Sequence, residues 1–489
     1  MFVLQLATNS DEIDFLGEAF RLADGGFELE VPKKEQIWGA TSRFGLGARL
    51  LDSYYENRKI TITFEIHGFN RQDIVDKIGR IEAMLDLARR HSIDEDPDRV
   101  ELRYRWSQQA DDKQVYFEVV DGEFMLPSDV LSVGNILQNS EFMGVHGSVL
   151  YDCKLELTVL PHAFGVSPVN GSLIEVPLSN GNGTRVTGGI LVYSHDDTDA
   201  QHDNWVSISG ADVPGDAPAI TKLQVLMVDG GSLPARIAVG HSLTSTPQFA
   251  HIIEDSIVES SAGRTQVSNA AASGGTYSSF DFTSVTPAKF ATWNIANAHV
   301  YGGKAYRAVA VSFLGIGFAS SMNYMLKLTS STDDVFFQTD WVSPVETAVN
   351  YLDLGVVVLP PFQGKLTAVE DIKLSLWGFR KAAGTTTFSI DYIYLLPISE
   401  GYRALQNKLP VVSGAWGSLV IDDPWNGVVY ASSGSKNLGT FEGMFAPIRL
   451  IPKKDQRLYF LFNDLYSFQP PTFRYYVRAW VAPLYKTLA

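Results

Sequence analysis

Lys59-Ile-Thr-Ile-Thr-Phe-Glu-Ile-His67, followed closely by Asn70-Arg-Gln-Asp-Ile-Val-Asp-Lys-Ile-Gly-Arg-Ile-Glu-Ala-Met-Leu-Asp-Leu-Ala-Arg-Arg-His91, sets the fold of the first third of the chain. In the first stretch Ile60, Ile62, Phe64 and Ile66 alternate with Thr61, Thr63, Glu65 and His67, the period of a half-buried strand. In the second, Ile74, Ile78, Ile81, Leu85 and Ala88 recur at three- and four-residue spacing and form one apolar helical stripe. Asn70 suits the N-cap, Asp73 places a carboxylate against the first-turn amides, and Arg89, Arg90 and His91 complement the C-terminal end of the dipole. The spacing predicts one long helix over residues 70–91, stopped by the acidic, proline-containing run Asp94 to Asp98.

Outward from this pair, strands are predicted on either side. Val100 to Trp106, Val115 to Met125 and Leu150 to Leu160 all alternate, with Leu155, Leu157 and Val159 on one face of the last. Pro161 ends that ladder because it has no amide hydrogen to donate. The first domain is therefore expected to be a sheet holding a single helix, over residues 1–164. Beyond Ser167 the chain reads as short strands between polar turns such as Asn180-Gly-Asn-Gly183 and Asp229-Gly-Gly231. Between residues 236 and 400, Ala305–Phe318, Tyr324–Leu328, Val335–Gln338, Ile372–Leu376 and Phe388–Leu396 suggest a two-sheet jelly roll. The Ser/Thr/Ala/Gly-rich stretch Ser260–Ser279 reads as a loop or an edge. Ser418–Ile421, Phe445–Leu450 running into Arg457–Phe462, and Arg474–Val481 supply the last strands. The expected class is mainly β: multidomain β-sandwiches with one long helix in the N-terminal domain.

Composition narrows the function. The 489 residues contain 41 Gly and 22 Pro, and 45% are hydrophobic, which excludes a collagen-like fibre and a wholly disordered chain. One cysteine, Cys153, excludes an internal disulfide framework, and it reads as a small buried apolar residue. A net charge of −16 argues against nucleic acid as the main partner. The charge is uneven: residues 1–164 carry 17 Lys and Arg against 29 Asp and Glu, whereas residues 401–489 carry 10 against 5. The apolar run Ala308–Ala319 is too short to span a bilayer, and the opening Met1–Leu6 gives way to Asp11, Glu12 and Asp14 too early for a signal peptide. The expectation is synthesis in the cytoplasm without membrane insertion.

Catalytic signatures are missing. There is no phosphate-binding Gly-x4-Gly-Lys-Ser/Thr run, and Gly45-Leu-Gly47 does not open a helix after a strand. Glu370, Asp371, Asp391 and Glu400 are the carboxylates from which a sugar-hydrolysing pair would have to come, but Asp391 sits in an alternating strand and reads as structural. The chain is expected to be no enzyme and to need no cofactor. The metal candidates are His195, Asp197, Asp199, His202 and Asp203, whose oxygens suit calcium and whose imidazoles suit zinc. Their spacing matches no standard ligand loop, and a solvated acidic turn is the commoner role of such a run. Trp293, Tyr301, Tyr306, Trp341 and Trp377 are candidates for stacking on sugar faces, set against the commoner role of core aromatics.

Several stretches carry a resemblance. Val31-Pro-Lys-Lys-Glu-Gln-Ile-Trp38, Gly47-Ala-Arg-Leu-Leu51, Asn57-Arg-Lys-Ile-Thr-Ile-Thr-Phe-Glu-Ile-His-Gly68, the helix with Ile74, Ile78 and Leu85, and Leu157-Thr-Val-Leu-Pro161 follow one another. In this order they resemble the N-terminal domain of the distal tail proteins of bacteriophages with long, non-contractile tails. Ile208-Ser-Gly-Ala-Asp-Val-Pro-Gly-Asp-Ala-Pro-Ala219, Leu419-Val-Ile-Asp422 and Ile448-Arg-Leu-Ile-Pro-Lys-Lys-Asp-Gln-Arg-Leu-Tyr-Phe-Leu-Phe462 are similar to the larger minor tail proteins of that group. Pro452-Lys-Lys-Asp455 departs from the proline-glycine turn of the smaller members.

The resemblance spans about 300 residues in the two flanks. It implies a virion protein of the tail tip, a hexameric ring subunit contacting the tail tube protein, the tape measure and the tail hub. It also implies that residues 236–400 are inserted in a discontinuous sandwich of residues 165–235 and 401–489. Ser389-Ile-Asp-Tyr-Ile-Tyr-Leu-Leu-Pro397 resembles the last strand of carbohydrate-binding modules, which adds host-surface carbohydrate as a partner. The competing reading is a carbohydrate-active enzyme with accessory β-sandwich modules. A receptor-binding fibre is disfavoured, because no coiled-coil heptads are present.

Overall fold

The computed structural model describes residues 2–486 except 40–48, 94, 106–113, 128–147, 183–187, 194–202, 229–235, 244–251, 254–256, 261–262, 270–271, 273–274, 296–303, 314–315, 331–332, 345–347, 350, 359–371, 408–418, 426–427, 432–438, 442–446 and 464–473. Strands dominate the described residues and one long helix accompanies them, the expected class. The chain divides into two compact units: Met1–Ile174 with Pro214–Ala217 and Ala482–Ala489, and Glu175–Val213 with Pro218–Val481.

In the first unit, β1 (Val3–Ala7), β2 (Glu12–Asp14), β3 (Phe20–Leu29), β4 (Lys34–Gly39), β5 (Arg49–Tyr55) and β6 (Arg58–Gly68) precede helix α1 (Arg71–Ser92). Strands β7 (Val100–Arg105), β8 (Val115–Met125), β9 (Ser148–Val159) and β10 (Ala163–Phe164) follow it. The main sheet is antiparallel, in the order β2-β1-β7-β8-β9-β6-β3, while β4 and β5 pair only with each other. Ile60, Ile62, Phe64 and Ile66 of β6 are fully buried and alternate with partly or fully exposed residues, as the period-two pattern requires. Strand β3 was harder to see. Gly25 and Gly26 interrupt its alternation, and the register with β6 shifts between Leu22 and Phe27. At Gly26 a side chain would strike the carbonyl oxygen of Thr63, so only glycine fits there.

Helix α1 lies against this sheet, mainly over β8. Asn70 caps it: its side chain accepts from the Asp73 amide at 2.9 Å, and the Asp73 carboxylate accepts from the Phe69 amide at 2.9 Å. Ile74, Ile78, Ile81, Met84, Leu85 and Ala88 are buried, so the predicted stripe is the packing face. Gly122 lets the helix approach, because a Cβ there would lie 2.7 Å from Leu85 Cδ2 and 3.0 Å from the Glu156 carbonyl oxygen. Each fully buried aliphatic side chain contributes about 1.5–3 kcal/mol, which makes this stripe the main attachment of the helix. The far end of the chain also belongs here. Leu484–Tyr485 pairs with β10, and the buried Arg58 donates to the carbonyls of Pro161 and Lys486, each at 2.6 Å.

The second unit opens as a two-sheet sandwich. One sheet runs Arg474–Val481, Ala219–Met227, Leu419–Asp423 and Val428–Ala431, with Ile190–Tyr193 beside the first. The other runs Trp205–Ile208, Gln456–Asn463, Arg236–Ser242, Tyr402–Asn407 and Gly439–Phe441. Val206, Leu223, Val225, Ile237, Leu458, Phe460, Phe462 and Val477 fill the space between them. A buried ion pair crosses the side: Arg403 donates bidentately to Asp422 at 2.7 and 2.6 Å. The sandwich is interrupted between neighbouring strands. Gly240 is the register partner of Tyr402, and the His241 amide donates to the Gly401 carbonyl at 3.0 Å, so residues 243–400 leave and return at one place.

Those intervening residues form further sheets. Ile252–Ile253, Tyr392–Pro397, Ala305–Val311 and Tyr351–Val358 make one, and Ile257–Ser260, Ala288–Ile295, Ile372–Arg380, Met322–Thr329 and Val335–Gln338 make the other. Phe280, Phe290, Phe318, Tyr324 and Phe388 meet in their core with ring centroids 5.0–6.2 Å apart among the pairs in contact. The stretch expected as a loop or an edge, Ser260–Ser279, contains an edge: Arg264–Ser268 is the outer strand of a three-stranded sheet continued by Thr276–Phe282 and Thr386–Ile390. Its small hydroxyl residues sit in the ladder, and Arg264 donates to the buried Ser278 hydroxyl at 2.9 Å. The single strand expected over Phe388–Leu396 is two. The chain changes sheet at Asp391, whose amide donates to the Val311 carbonyl at 2.8 Å. From there Tyr392–Pro397 is buried on both faces, because its sheet is also covered by the sandwich: Val309, Tyr392, Tyr394 and Leu396 pack with Ala238, Tyr459 and Leu461.

Candidate functional site

The sugar-stacking candidates separate by burial. Trp293 is fully buried and Tyr306 nearly so, both in the core between the sheets of the intervening segment. Neither presents a ring face to a ligand, and the structure corrects both to core residues: each sits at an inward position of an alternating strand, where desolvation of the ring stabilises the fold. Tyr301 lies outside the described residues.

Trp341 and Trp377 are brought to one face. In Ile372–Arg380, Leu374 and Leu376 point inward, so Ser375, Trp377 and Phe379 point outward from the same sheet. Trp341, 38% exposed, packs edge-on against Phe379 at 4.8 Å between ring centroids. On the neighbouring strand Lys327 holds its ammonium 4.0 Å from the Trp377 ring centroid. Among the described residues the indole nitrogen of Trp377 has no hydrogen-bond partner. Beside them Thr292 and Ser375 share a hydrogen bond of 3.1 Å. The result is an outward aromatic strip with a cation over the Trp377 ring, while the Thr292 and Ser375 hydroxyls are buried; its exposed ring, Trp341, is suited to the apolar face of a sugar. Phe379 was missed from the sequence, although its spacing of two from Trp377 in a strand was the available signal.

The metal candidates cannot be assembled in the same way. His195, Asp197, Asp199 and His202 lie outside the described residues. Asp203 is described and serves the fold: its carboxylate accepts from the Gly181 amide at 2.5 Å, while its own amide donates to Asn182 at 2.7 Å. Burial raises its pKa, opposed by the Gly181 amide and by Arg457. Among the described residues no cluster of three His, Cys, Asp or Glu could hold a metal ion.

Of the carboxylates weighed for hydrolysis, Glu370 and Asp371 are outside the described residues. Asp391 is fully buried at the sheet change, and Glu400 pairs with Lys304 at 3.2 Å. Cys153 is buried in β9, where desolvation pushes its thiol up to about 12, so it is a packing residue and not a nucleophile. Among the described residues no helix is long and apolar enough to cross a membrane.

No family model matches the chain, and no curated protein matches it. Solved structures do. A chain of the phage p2 baseplate in its activated conformation with Sr is 9% identical, with a TM-score of 0.25 over 78% of this chain and 99% of that one. The SPP1 Dit protein, described as a paradigm of the hub adsorption apparatus in phages infecting Gram-positive hosts, is 8% identical, with a TM-score of 0.25 over 79% and 99%. A chain of the infectious bursal disease virus Gt strain is 8% identical, with a TM-score of 0.16 over 64% and 83%.

Proposed function

We propose that the chain is a structural protein of a phage tail tip, a distal-tail-type subunit of a six-membered ring joining tail tube to tip, whose intervening segment, residues 243–400, contacts host-surface glycans. The observation that carries the reading is the interrupted sandwich. Gly240 and Tyr402 remain strand partners while a segment with its own aromatic core is set between them. An accessory module on a scaffold that must keep its edges for assembly takes this form. The first unit supports the same reading. Its sheet, its one helix and the strand ending at Val159 follow the order that carries the sequence resemblance to distal tail proteins. We read the role as non-catalytic: of the carboxylates weighed for hydrolysis, the two described, Asp391 and Glu400, are buried or paired, and the outward aromatics suit binding without bond cleavage.

Native mass spectrometry of the purified protein tests the ring, with a species at six times the 53.9 kDa subunit mass expected. Gold-labelled antibody against the chain should mark the distal end of intact tails in electron micrographs. A protein that stays monomeric and is absent from tail particles would overturn the assignment.

A further inference from the structure

The intervening segment has an open side, where the edge strand of one sheet, Val335–Gln338, faces the edge strand of the other, Tyr351–Val358. Between them is a cleft of about 440 Å³, lined by Arg307, Phe337, Gln338, Asp340, Asp353 and Leu354 among others. That volume lies within the usual range of small-ligand sites, roughly 300–1,000 Å³.

The cleft is built. Arg307 donates through Nε to Asp353 at 2.9 Å and again through a terminal nitrogen. The other Asp353 oxygen accepts from the Gly355 amide at 3.0 Å. Gly355 takes a φ of +89° beside the bulge between Ala308 and Val309, a conformation that re-aims this strand and favours glycine. The Tyr402 ring lies 5.7 Å from the guanidinium carbon. A carboxylate held by two partners still has lone pairs to offer, so Asp353 is a fixed acceptor. Across the cleft, Gln338 and Asp340 are exposed, and among the described residues their side chains make no hydrogen bond or ion pair. Phe337, Val342 and the exposed Val356 add apolar wall.

We propose that this cleft binds one neutral pyranose unit of a glycan. The proposal rests on the glycan reading of residues 243–400 and moves recognition from the aromatic strip to the sheet edges. Neighbouring hydroxyls of a sugar match what the rim supplies: carboxylates accept from them, and the Gln338 amide donates to them. The apolar wall takes the C–H face of the ring. Charge decides the ligand class. Two carboxylates face one guanidinium on a chain of net charge −16, so an acidic sugar or a phosphate is repelled. An extended peptide is disfavoured, because the bulge and Gly355 break the row of backbone groups that strand addition needs.

The test uses the full chain in saturation-transfer NMR with methyl glycosides of glucose, galactose, mannose, rhamnose and N-acetylglucosamine, and glucuronate as the acidic control. A glycan array runs alongside. At least one neutral glycoside should receive saturation while glucuronate does not. Asp340→Ala and Gln338→Ala should each weaken array binding at least tenfold with an unchanged melting temperature, since neither side chain is engaged in the fold. If those variants bind normally while Trp341→Ala and Trp377→Ala do not, the cleft proposal fails and the glycan reading stands on the aromatic strip. If no sugar binds in either format, both fail. Equal binding of glucuronate, or displacement of sugar by an extended peptide, also overturns the cleft as a neutral-sugar site.

Discussion

The hydroxyl of Tyr394 donates to the main-chain carbonyl of Phe460 at 3.3 Å, a buried bond between the last strand of the intervening segment and a central strand of the sandwich. Phe460 points its ring into the sandwich core, while its neighbours Tyr459 and Leu461 point the other way and pack with Tyr394. The segment therefore shares an apolar face with its host as well as owning a core. Tyr394→Phe should cost about 1 kcal/mol, the usual net worth of one hydrogen bond. Tyr394→Ala should cost about 3–5 kcal/mol, because it also opens a cavity. Urea unfolding of both variants checks the ratio, and a Tyr394→Phe variant as stable as the parent would show that the hydroxyl contributes nothing.

Excising residues 243–400 and joining Ser242 to Gly401 through a short Gly/Ser linker should leave the sandwich folded, because the ends already lie on paired strands. The product should self-associate, since Ala238, Ala404, Tyr459 and Leu461 lose their cover. Light scattering should show that association, and Tyr459→Thr with Leu461→Thr should reduce it. Loss of the β circular-dichroism signal in the excised protein would mean that the sandwich depends on the insert for folding.

Ile78→Asp or Leu85→Asp in α1 places an unpaired charge among fully apolar neighbours, and several kcal/mol of destabilisation is expected, enough to prevent folding of the first unit. Gly122→Val tests the same contact from the sheet side. Its side chain would meet Leu85 and the Glu156 carbonyl, backbone that cannot yield, so a loss of about 1–3 kcal/mol is expected. Thermal melts of the isolated residues 1–174 are unsuitable, because Arg58 and β10 hold the chain's last strand. The full chain is the sample to use.

His241 is fully buried, with Nε2 2.8 Å from Gln456 Oε1 and Nδ1 3.4 Å from the Glu400 carbonyl oxygen. Burial lowers its pKa below the ordinary 6.5, against the opposing pull of Gln456 and Glu400. A depressed folded-state pKa means that the unfolded chain takes up the proton first. Its contribution to stability is therefore complete above about pH 6.5 and is lost as pH falls from there towards the folded value. The melting temperature should drop between pH 7 and pH 5, and His241→Gln should flatten that part of the profile. An unchanged slope in the variant would assign the acid sensitivity to other groups.

Arg403 and Asp422 are both buried, and burial, helped by the neighbouring Asp423 charge, raises the Asp422 pKa against the opposing pull of Arg403. Removing one member strands the other, so Arg403→Ala should cost about 3–5 kcal/mol, whereas Arg403→Leu with Asp422→Leu should cost much less. A double-mutant cycle by urea unfolding gives the coupling, and additive losses would show that the pair does not act as a unit.

Local pattern made some of this protein readable before any coordinates. Alternation over Lys59–His67, the stripe from Ile74 to Ala88, and the runs Val115–Met125 and Arg474–Val481 determined strands and a helix, because side-chain direction repeats every two or 3.6 residues wherever one face is buried. Other features depended on what covers the second face. Tyr392–Pro397 reads as a continuous apolar run, and only the packing of Tyr394 on Tyr459 and Leu461 explains why neither side is polar. The same holds for the candidate site. The sequence offered five aromatics of equal standing, and tertiary packing buried Trp293 and Tyr306 while turning Trp341 and Trp377 outward. It also joined Arg307 to Asp353 across a bulge that no spacing announces. Pairing of Gly240 with Tyr402, and the change of sheet at Asp391, bring together residues far apart along the chain. Their energies come from contacts that no local window contains, so only the folded structure could decide them.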